Sequence, residues 1–130
     1  MKKYLVVPIF GFLLLMLAAC EYDTDNAEEM PVRISSQQAR YMMANNDVVI
    51  VDVRNYSEFE EGHIQGAVLI PVGDIETLAP LLLRDKDKIL LVYCRSGNRS
   101  HHAARALVEM GFTAVYDFGG ILDWDGDIVN

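Results

Sequence analysis

Cys94 is the residue best suited to chemistry in this chain, because it ends an apolar, strand-forming run and is followed at once by a short polar segment. In that segment, residues 95–99, Gly97 can adopt backbone angles closed to other residues, and Ser96 and Asn98 tolerate turns. The backbone amides are therefore expected to form an anion-binding nest at the start of a helix. Such surroundings lower the pKa of a cysteine from ~8.5 to roughly 3.5–7.5. The segment predicts an accessible, nucleophilic thiolate.

Two arginines, Arg95 and Arg99, stand within five positions of this thiol in a chain whose net charge is −8. A guanidinium group binds an oxyanion through a planar fork of donors. The pair predicts an anionic substrate, with the amides of residues 95–99 around the reacting sulfur.

The elements that must position this segment follow an alternation of strands and helices. Residues 48–53 and 89–93 are continuous apolar runs, typical of strands covered on both faces, and residues 67–70 and 113–118 resemble two more strands. Ser35 and Gln38 have capping-box spacing, Asp74 can cap a helix through Leu82, and Gly111 can end a helix that starts near Ser100. The pattern predicts an α/β fold, with a mostly parallel central sheet and helices on both faces. Ligands of such sheets bind beyond the carboxyl ends of the strands, where Cys94 stands.

Other polar residues are predicted to support this site. Asp52 and Arg54 follow the first long strand, and we expect them to organise the Cys94 segment by hydrogen bonds. His63 is expected to be a hydrogen-bonded scaffold residue. His101 and His102 are adjacent, so on a helix their side chains diverge by ~100° and cannot grip one ion. Neither a metal site nor a cofactor is expected.

The first 31 residues are predicted to lie outside the folded domain. Residues 1–19 combine two lysines, an apolar stretch and small residues, as a signal peptide does. The ending "LAAC" resembles the lipobox of bacterial lipoproteins, which implies that Cys20 is diacylated and becomes the mature N-terminus. Residues 20–31 are acidic and poor in apolar side chains, which is typical of a flexible tether. Residues 32–130 are then the domain, held by Cys20 to a membrane surface outside the cytoplasm.

Charge and cysteine usage narrow the possible partners. Removing residues 1–19 takes away Lys2 and Lys3 and no acidic residue, which leaves a net charge of −10. Such a surface repels nucleic acid, so no nucleic-acid partner is expected. With Cys20 acylated, the only other cysteine, Cys94, has no disulfide partner in the chain. A monomer is expected.

Four motifs in order make the sequence similar to the rhodanese-like domain family: "DVR" (52–54), "EFEEGHIQGAVLIP" (58–71), "CRSGNR" (94–99) and "GGILDW" (119–124). The likeness covers roughly residues 32–130 and is nearest to small exported members of the phage-shock protein E type, although the lipobox departs from their ordinary signal peptides. The resemblance implies that Cys94 takes the outer sulfur of thiosulfate or a similar donor and passes it to a thiol, or to cyanide in the test tube. It also implies that Arg99, and in part Arg95, holds the oxyanion of the donor.

Two alternative functions stay open at this point. One is a non-catalytic sulfur carrier or a partner-binding module on the same fold. The other is a cysteine phosphatase or an arsenate reductase, since these enzymes also hold a cysteine in an anion cradle ahead of an arginine. Phosphatases resemble one another in a C-x5-R spacing, whereas this chain has C-x4-R from Cys94 to Arg99. The shorter ring favours sulfur, which adds one atom, over a phosphoryl group with three oxygens.

Overall fold

The apolar runs become the central strands of a five-stranded sheet in a computed structural model, which describes residues 29–130. The order across the sheet is β1-β5-β4-β2-β3, and every neighbouring pair is parallel. The predicted α/β class with a parallel central sheet is confirmed. The strands are β1 (Val32–Arg33), β2 (Val48–Asp52), β3 (Val68–Leu69), β4 (Ile89–Cys94) and β5 (Val115–Gly120).

Helices cover both faces of the sheet, as predicted. Side chains of α1 pack in a cluster on one face, and those of α3 and α4 pack in a second cluster on the other. The short α2 follows β2 and stands near the carboxyl ends of the strands. The helices are α1 (Ser36–Asn45), α2 (Tyr56–Glu61), α3 (Ile75–Leu82) and α4 (Asn98–Glu109).

Strand β4 shows why the central runs are continuously apolar. Leu90, Val92 and Cys94 belong to the cluster under α3 and α4, while Leu91 and Tyr93 belong to the cluster under α1. Successive side chains of a strand point to opposite faces, and both faces are covered here. The same alternation directs the Cys94 side chain into the protein rather than toward solvent.

The helix starts agree with the sequence signals in part. The capping box of Ser35 and Gln38 is confirmed at the start of α1. Asp74 occupies the N-cap position of α3, but its side chain makes no capping hydrogen bond, so that prediction is wrong in its mechanism. A second capping box, of Asn55 and Glu58, starts α2, a helix that the apolar pattern does not reveal.

Strand β5 meets β4 in an irregular register that matters for the site. Leu91 pairs with Tyr116 and Val92 with Asp117, but Cys94 then pairs with Gly120, so the ladder shifts between Val92 and Cys94. The shift brings the carboxyl end of β5 alongside the segment that follows Cys94.

Of the segment predicted to precede the domain, the structure describes only the last residues, from 29 to 31. Glu29 and Met30, at the end of the predicted tether, line shallow cavities against α4. The predicted signal peptide, Cys20 and the rest of the tether lie outside the described residues. Within residues 29–130, none of the helices combines the length and apolar character that crossing a membrane requires.

Candidate active site

Cys94 is the last residue of β4, and only residues 95–97 separate it from α4. Gly97 adopts a left-handed conformation with φ of 104° and lets the chain turn directly into the helix. The helix begins at Asn98, two residues before the predicted start near Ser100. Asn98 and Arg99 therefore belong to the first helical turn, where backbone N–H groups lack intrahelical partners and the helix dipole is positive.

The thiol of Cys94 lies in a buried donor environment, with 1% of the residue exposed. Burial alone would raise its pKa, but hydrogen bonding from the amide and hydroxyl of Ser100 and the amides of Gly97 and Ser96 outweighs this effect and lowers the pKa. The Gly97 amide lies 3.0 Å from Cys94 Sγ. The sulfur is thus poised to ionise, but it is buried, so the prediction of an accessible thiolate is wrong: the alternation of β4 turns the Cys94 side chain under α4.

The loop is held against the end of β5 by a contact that only glycine permits. A Cβ atom on Gly120 would lie 2.1 Å from the carbonyl oxygen of Arg95 and 2.7 Å from the Cα of Ser96. The Leu122 amide donates to the same Arg95 carbonyl at 3.2 Å. This contact fixes the backbone whose amides surround the sulfur.

A buried polar chain supports the loop from behind. The Ser100 hydroxyl lies 2.7 Å from Asp117 Oδ1, and the Gly119 amide donates to the same oxygen at 3.0 Å. On the other side, Arg33 Nη1 donates to Asp117 Oδ2 at 2.7 Å. Ser100 and Asp117 are 0% and 1% exposed, so the carboxylate depends on these donors for its stability. We call Cys94, Gly97, Ser100, Asp117 and Gly120 the floor of the site.

Arg99 does not stand free above the sulfur. Its two terminal nitrogens each lie 2.8 Å from one oxygen of Glu58, in a bidentate ion pair between α4 and α2. The Arg99 guanidinium, through its side-chain hydrogen bonds, lowers the pKa of Glu58 to about 2. Glu58 in turn raises the pKa of Arg99, and the charge of the Cys94 thiolate raises it further.

Asp52 and Arg54 form a buried ion pair next to the site. Arg54 Nη2 lies 2.7 Å from Asp52 Oδ2 and donates at 2.7 Å to the carbonyl oxygen of Gly62. The Arg54 guanidinium also lies over the ring of Tyr93, 5.6 Å from its centre, and the Tyr93 hydroxyl accepts from the Ile64 amide. The two residues thus organise the segment between α2 and β3, and the structure gives no hydrogen bond from them to residues 95–99.

A cavity of about 260 Å³ opens beside the loop. Among the predicted site residues, Arg95 and Arg54 line it, whereas Cys94 is hidden below; Arg95, Ser96 and Asn98 are all exposed. We call this cavity, together with the Arg99–Glu58 ion pair beside it, the mouth of the site. Its lining residues are Arg54, Glu58, Glu61, Gly62, Arg95, Ile121 and Ile128.

The histidines have structural surroundings. The His63 ring stacks on Phe59 at 3.7 Å between centres, and its Nδ1 lies 2.8 Å from the Phe59 carbonyl oxygen, as expected of a scaffold residue. His101 and His102 are exposed on α4 with ring centres 5.9 Å apart. Across residues 29–130 there is no group of three His, Cys, Asp or Glu side chains arranged to hold a metal ion.

Sequence reasoning missed four residues that shape this site: Arg33, Glu58, Ser100 and Asp117. Glu58 had a partial signal: its capping-box spacing with Asn55 predicts a helix start, but nothing in the sequence places that helix beside Arg99, 41 positions away. Arg33 and Asp117 are 84 positions apart, and no local pattern joins them.

Comparison with known proteins places this architecture in a family. The sequence model of the family described as "Rhodanese-like domain" matches residues 35–127. The chain is 36% identical over 108 residues to the "Putative sulfur carrier protein YrkF" of Bacillus subtilis, covering 82% of this chain and 57% of that protein. It is 40% identical over 84 residues to the "Putative sulfurtransferase YtwF" of the same organism, covering 65% of this chain and 80% of YtwF. The chain thus spans little more than half the length of YrkF.

A solved structure agrees with the sequence comparisons. The chain is similar to a protein described as "rhodanese with anions from E. coli", with a TM-score of 0.60 and 33% identity. The match covers 63% of this chain and 96% of that structure.

Proposed function

The chain belongs to the rhodanese-like domain family, and we propose that it is a sulfurtransferase that carries a sulfane sulfur as a persulfide on Cys94. The observation that carries the proposal is the Cys94 thiol itself, whose pKa is lowered although it is buried, under the Gly97 amide at 3.0 Å. Two relatives, whose printed names are those of a sulfur carrier and a sulfurtransferase, support a role in moving sulfur.

The proposed donor is thiosulfate or a similar sulfane compound. The Cys94 thiolate attacks the outer sulfur, the bond between the two donor sulfurs breaks, and sulfite leaves with the electron pair. The resulting persulfide lies among the amides of Ser96, Gly97 and Ser100, which stabilise its negative charge. An acceptor thiolate, or cyanide in an assay, then attacks the outer sulfur and regenerates the Cys94 thiolate. No general base is needed, because the attacking group is already ionised.

The Cys94→Ser variant tests this proposal. Incubation of the wild type with thiosulfate should add one sulfur atom to the intact mass, and cyanide should remove it with release of thiocyanate. The variant should do neither. An unchanged rate of transfer in the Cys94→Ser variant would overturn the mechanism. A wild type that gains the sulfur but turns over no faster than unassisted donor and cyanide would point to a sulfur carrier instead.

The identity of the sixth residue after Cys94 makes phosphatase activity unfavourable. In the C-x5-R pattern an arginine stands there, whereas here it is Ser100, which is buried and bonded to the carboxylate of Asp117. Ser100 carries no charge and its hydroxyl is engaged by Asp117, so it cannot supply the guanidinium fork that the pattern provides to a phosphoryl group. The unmodified protein should therefore transfer sulfur and leave aryl phosphates intact. Faster hydrolysis of an aryl phosphate than transfer of sulfur would reverse this assignment.

We further propose that the protein is an exported lipoprotein of the phage-shock protein E type, acting as a monomer. Cys20 would be acylated and residues 20–31 would tether the domain to the membrane surface, with the outer membrane favoured in a two-membrane host because Glu21 is not the aspartate associated with inner-membrane retention. The support is the "LAAC" sequence after an apolar stretch. Labelled fatty acid should enter the wild type and not the Cys20→Ser variant. Absence of label in the wild type would refute the anchor.

A further inference from the structure

The pairing of Arg99 with Glu58 bears on which sulfur donors the site accepts. Both terminal nitrogens of Arg99 are engaged, each at 2.8 Å from a Glu58 oxygen, and the two side chains are 34% and 20% exposed. A bidentate, charge-assisted pair of this kind is stronger than a single neutral hydrogen bond. An incoming oxyanion can therefore bind Arg99 in the same fork only by displacing Glu58.

The other charges at the mouth do not provide a surplus of positive charge. Arg54 is paired with Asp52, and Arg95 and Glu61 line the cavity without an ion pair among the described residues. Three arginines thus face three carboxylates. A dianion gains little from such a balanced set, because each cation but Arg95 already has its counter-charge within 3 Å.

Arg99 nevertheless stands close enough to influence the reacting sulfur. Its pKa is raised first by Glu58 and also by the charge of the Cys94 thiolate. Glu58 stays ionised through the neutral range because its pKa is about 2. The pair is therefore a permanent feature of the resting site and not one that forms only at particular pH values.

We propose that Glu58 is a specificity-determining residue that holds Arg99 away from the donor and makes the site favour organic persulfides over thiosulfate. This inference rests on the proposed sulfurtransferase function. In the favoured reaction the Cys94 thiolate attacks the terminal sulfur of R–S–SH, the sulfur–sulfur bond of the donor breaks, and R–S⁻ leaves with the electron pair. The proton stays on the transferred sulfur, and no oxyanion has to be accommodated. Thiosulfate reacts too, but at a higher concentration.

The variant that isolates this effect is Glu58→Gln. Glutamine keeps the length of the side chain, and its oxygen can still accept from the Asn55 amide, which lies 3.0 Å from Glu58 Oε2. Glu60→Gln is the matched control. It removes the same charge from the same helix, but Glu60 is exposed, does not line the cavity, and accepts its hydrogen bond from Tyr56 rather than from Arg99.

The measurement is the single-turnover rate at which intact protein gains one sulfur, as a function of the concentration of thiosulfate or of 2-hydroxyethyl persulfide. For Glu58→Gln we expect the half-saturating thiosulfate concentration to fall about fivefold, as for loss of a competing partly exposed ion pair. The maximal rates and the half-saturating concentration of the persulfide should stay within about twofold, and Glu60→Gln should change the use of neither donor by more than about twofold.

A double variant keeps the test specific to Arg99. In an Arg99→Gln background, adding Glu58→Gln should no longer improve the use of thiosulfate. Equal gains from Glu58→Gln and Glu60→Gln, a persistent gain in the Arg99→Gln background, or a rise in the thiosulfate concentration needed by Glu58→Gln would each overturn the inference and leave the sulfurtransferase function standing. If no donor adds sulfur to the wild type, the proposed function itself fails.

Discussion

The floor and the mouth of the site differ in burial and in the kind of interaction that holds them. Cys94, Ser100 and Asp117 of the floor are at most 1% exposed, and their polar atoms have fixed partners. Apart from the buried Arg54, the charges of the mouth are exposed or partly exposed, among them Arg95 and the ion pair of Glu58 with Arg99. The floor therefore determines how reactive the sulfur is, and the mouth determines which molecules reach it.

The difference predicts unequal sensitivity to mutation. Within residues 29–130 no buried side-chain nitrogen or oxygen lacks a hydrogen-bond partner, so any change in the floor leaves a buried group unsatisfied or forces backbone to move. Exposed ion pairs contribute about 0–1 kcal/mol because water and salt screen them. Substitutions in the floor should alter activity and stability together, whereas substitutions in the mouth should alter selectivity.

The largest effect is expected for Gly120→Ala. The new Cβ would meet the Arg95 carbonyl oxygen at 2.1 Å, so the loop must move away from β5. Displacement of catalytic groups by about 1 Å can cost on the order of 100-fold in rate, and we expect at least that loss in persulfide formation. The control is Gly73→Ala, where nothing lies within 4 Å of the new atom. A Gly120→Ala variant as active as Gly73→Ala would show that the floor is pliable.

An intermediate effect is expected for Ser100→Ala. Loss of the hydroxyl removes the donor 2.7 Å from Asp117 Oδ1, which should lower the free energy of unfolding by about 1–3 kcal/mol. The variant should also raise the pKa of Cys94, since this hydroxyl is among the groups that lower it. Urea unfolding and the pH dependence of alkylation by iodoacetamide measure the two effects.

The matched control for this variant is Ser57→Ala, which removes an exposed hydroxyl on α2. Its stability should change by no more than about 0.5 kcal/mol, and the alkylation profile should not move. In Ser100→Ala the rise in alkylation should occur at higher pH than in the wild type. A profile that shifts to lower pH, or equal stabilities of the two variants, would contradict the importance of the floor hydroxyl.

The smallest effect is expected at the mouth, in the acid stability contributed by Glu58. Its folded pKa of about 2 lies below its ordinary value of 4.5, so the stabilisation is complete above pH 4.5 and is lost as the pH falls toward about 2. Relative to Glu58→Gln, the wild type should lose about 1 kcal/mol over this range after allowance for screening. The measurement is the free energy of unfolding in urea at several pH values for the wild type and for Glu58→Gln. If the difference between the two proteins did not change with pH, Arg99 would not stabilise the ionised form of Glu58.

Much of the fold could be predicted because its signals are local. The runs at 48–53 and 89–93 identify the central strands, and Ser35 with Gln38 identifies the start of α1. Strand β1 has two residues, too few for any periodicity to appear, and it exists because it pairs with Tyr116 and Asp117 far along the chain. The start of α4 was placed two residues late because Gly97 serves as its N-cap without a side-chain bond, which leaves no capping signal.

The features of the site likewise fall into those that the local sequence predicts and those that depend on contacts between distant residues. The segment from Cys94 to Arg99 could be predicted as a site from its composition alone, since the residue types needed for an anion cradle are contiguous. The burial of Cys94 could not, because it results from the alternation of β4 between two covered faces. The ion pair of Arg99 with Glu58 joins residues 41 positions apart and depends on the position of α2 relative to α4, which no local pattern determines.

Strand β1 has a practical consequence for anyone who shortens this chain. A fragment that starts at Ser35, the N-cap of α1, keeps the four helices and strands β2 to β5, yet it lacks β1 and with it Arg33. Asp117 would then keep its buried charge without its arginine, and the glycine-rich turn beside Arg33 would lose the side chain that fills the space next to Gly97 and Gly119. Such a fragment would retain four of the five strands but have an unsupported sulfur site, so its low activity would reflect where it was cut and not the chemistry of Cys94.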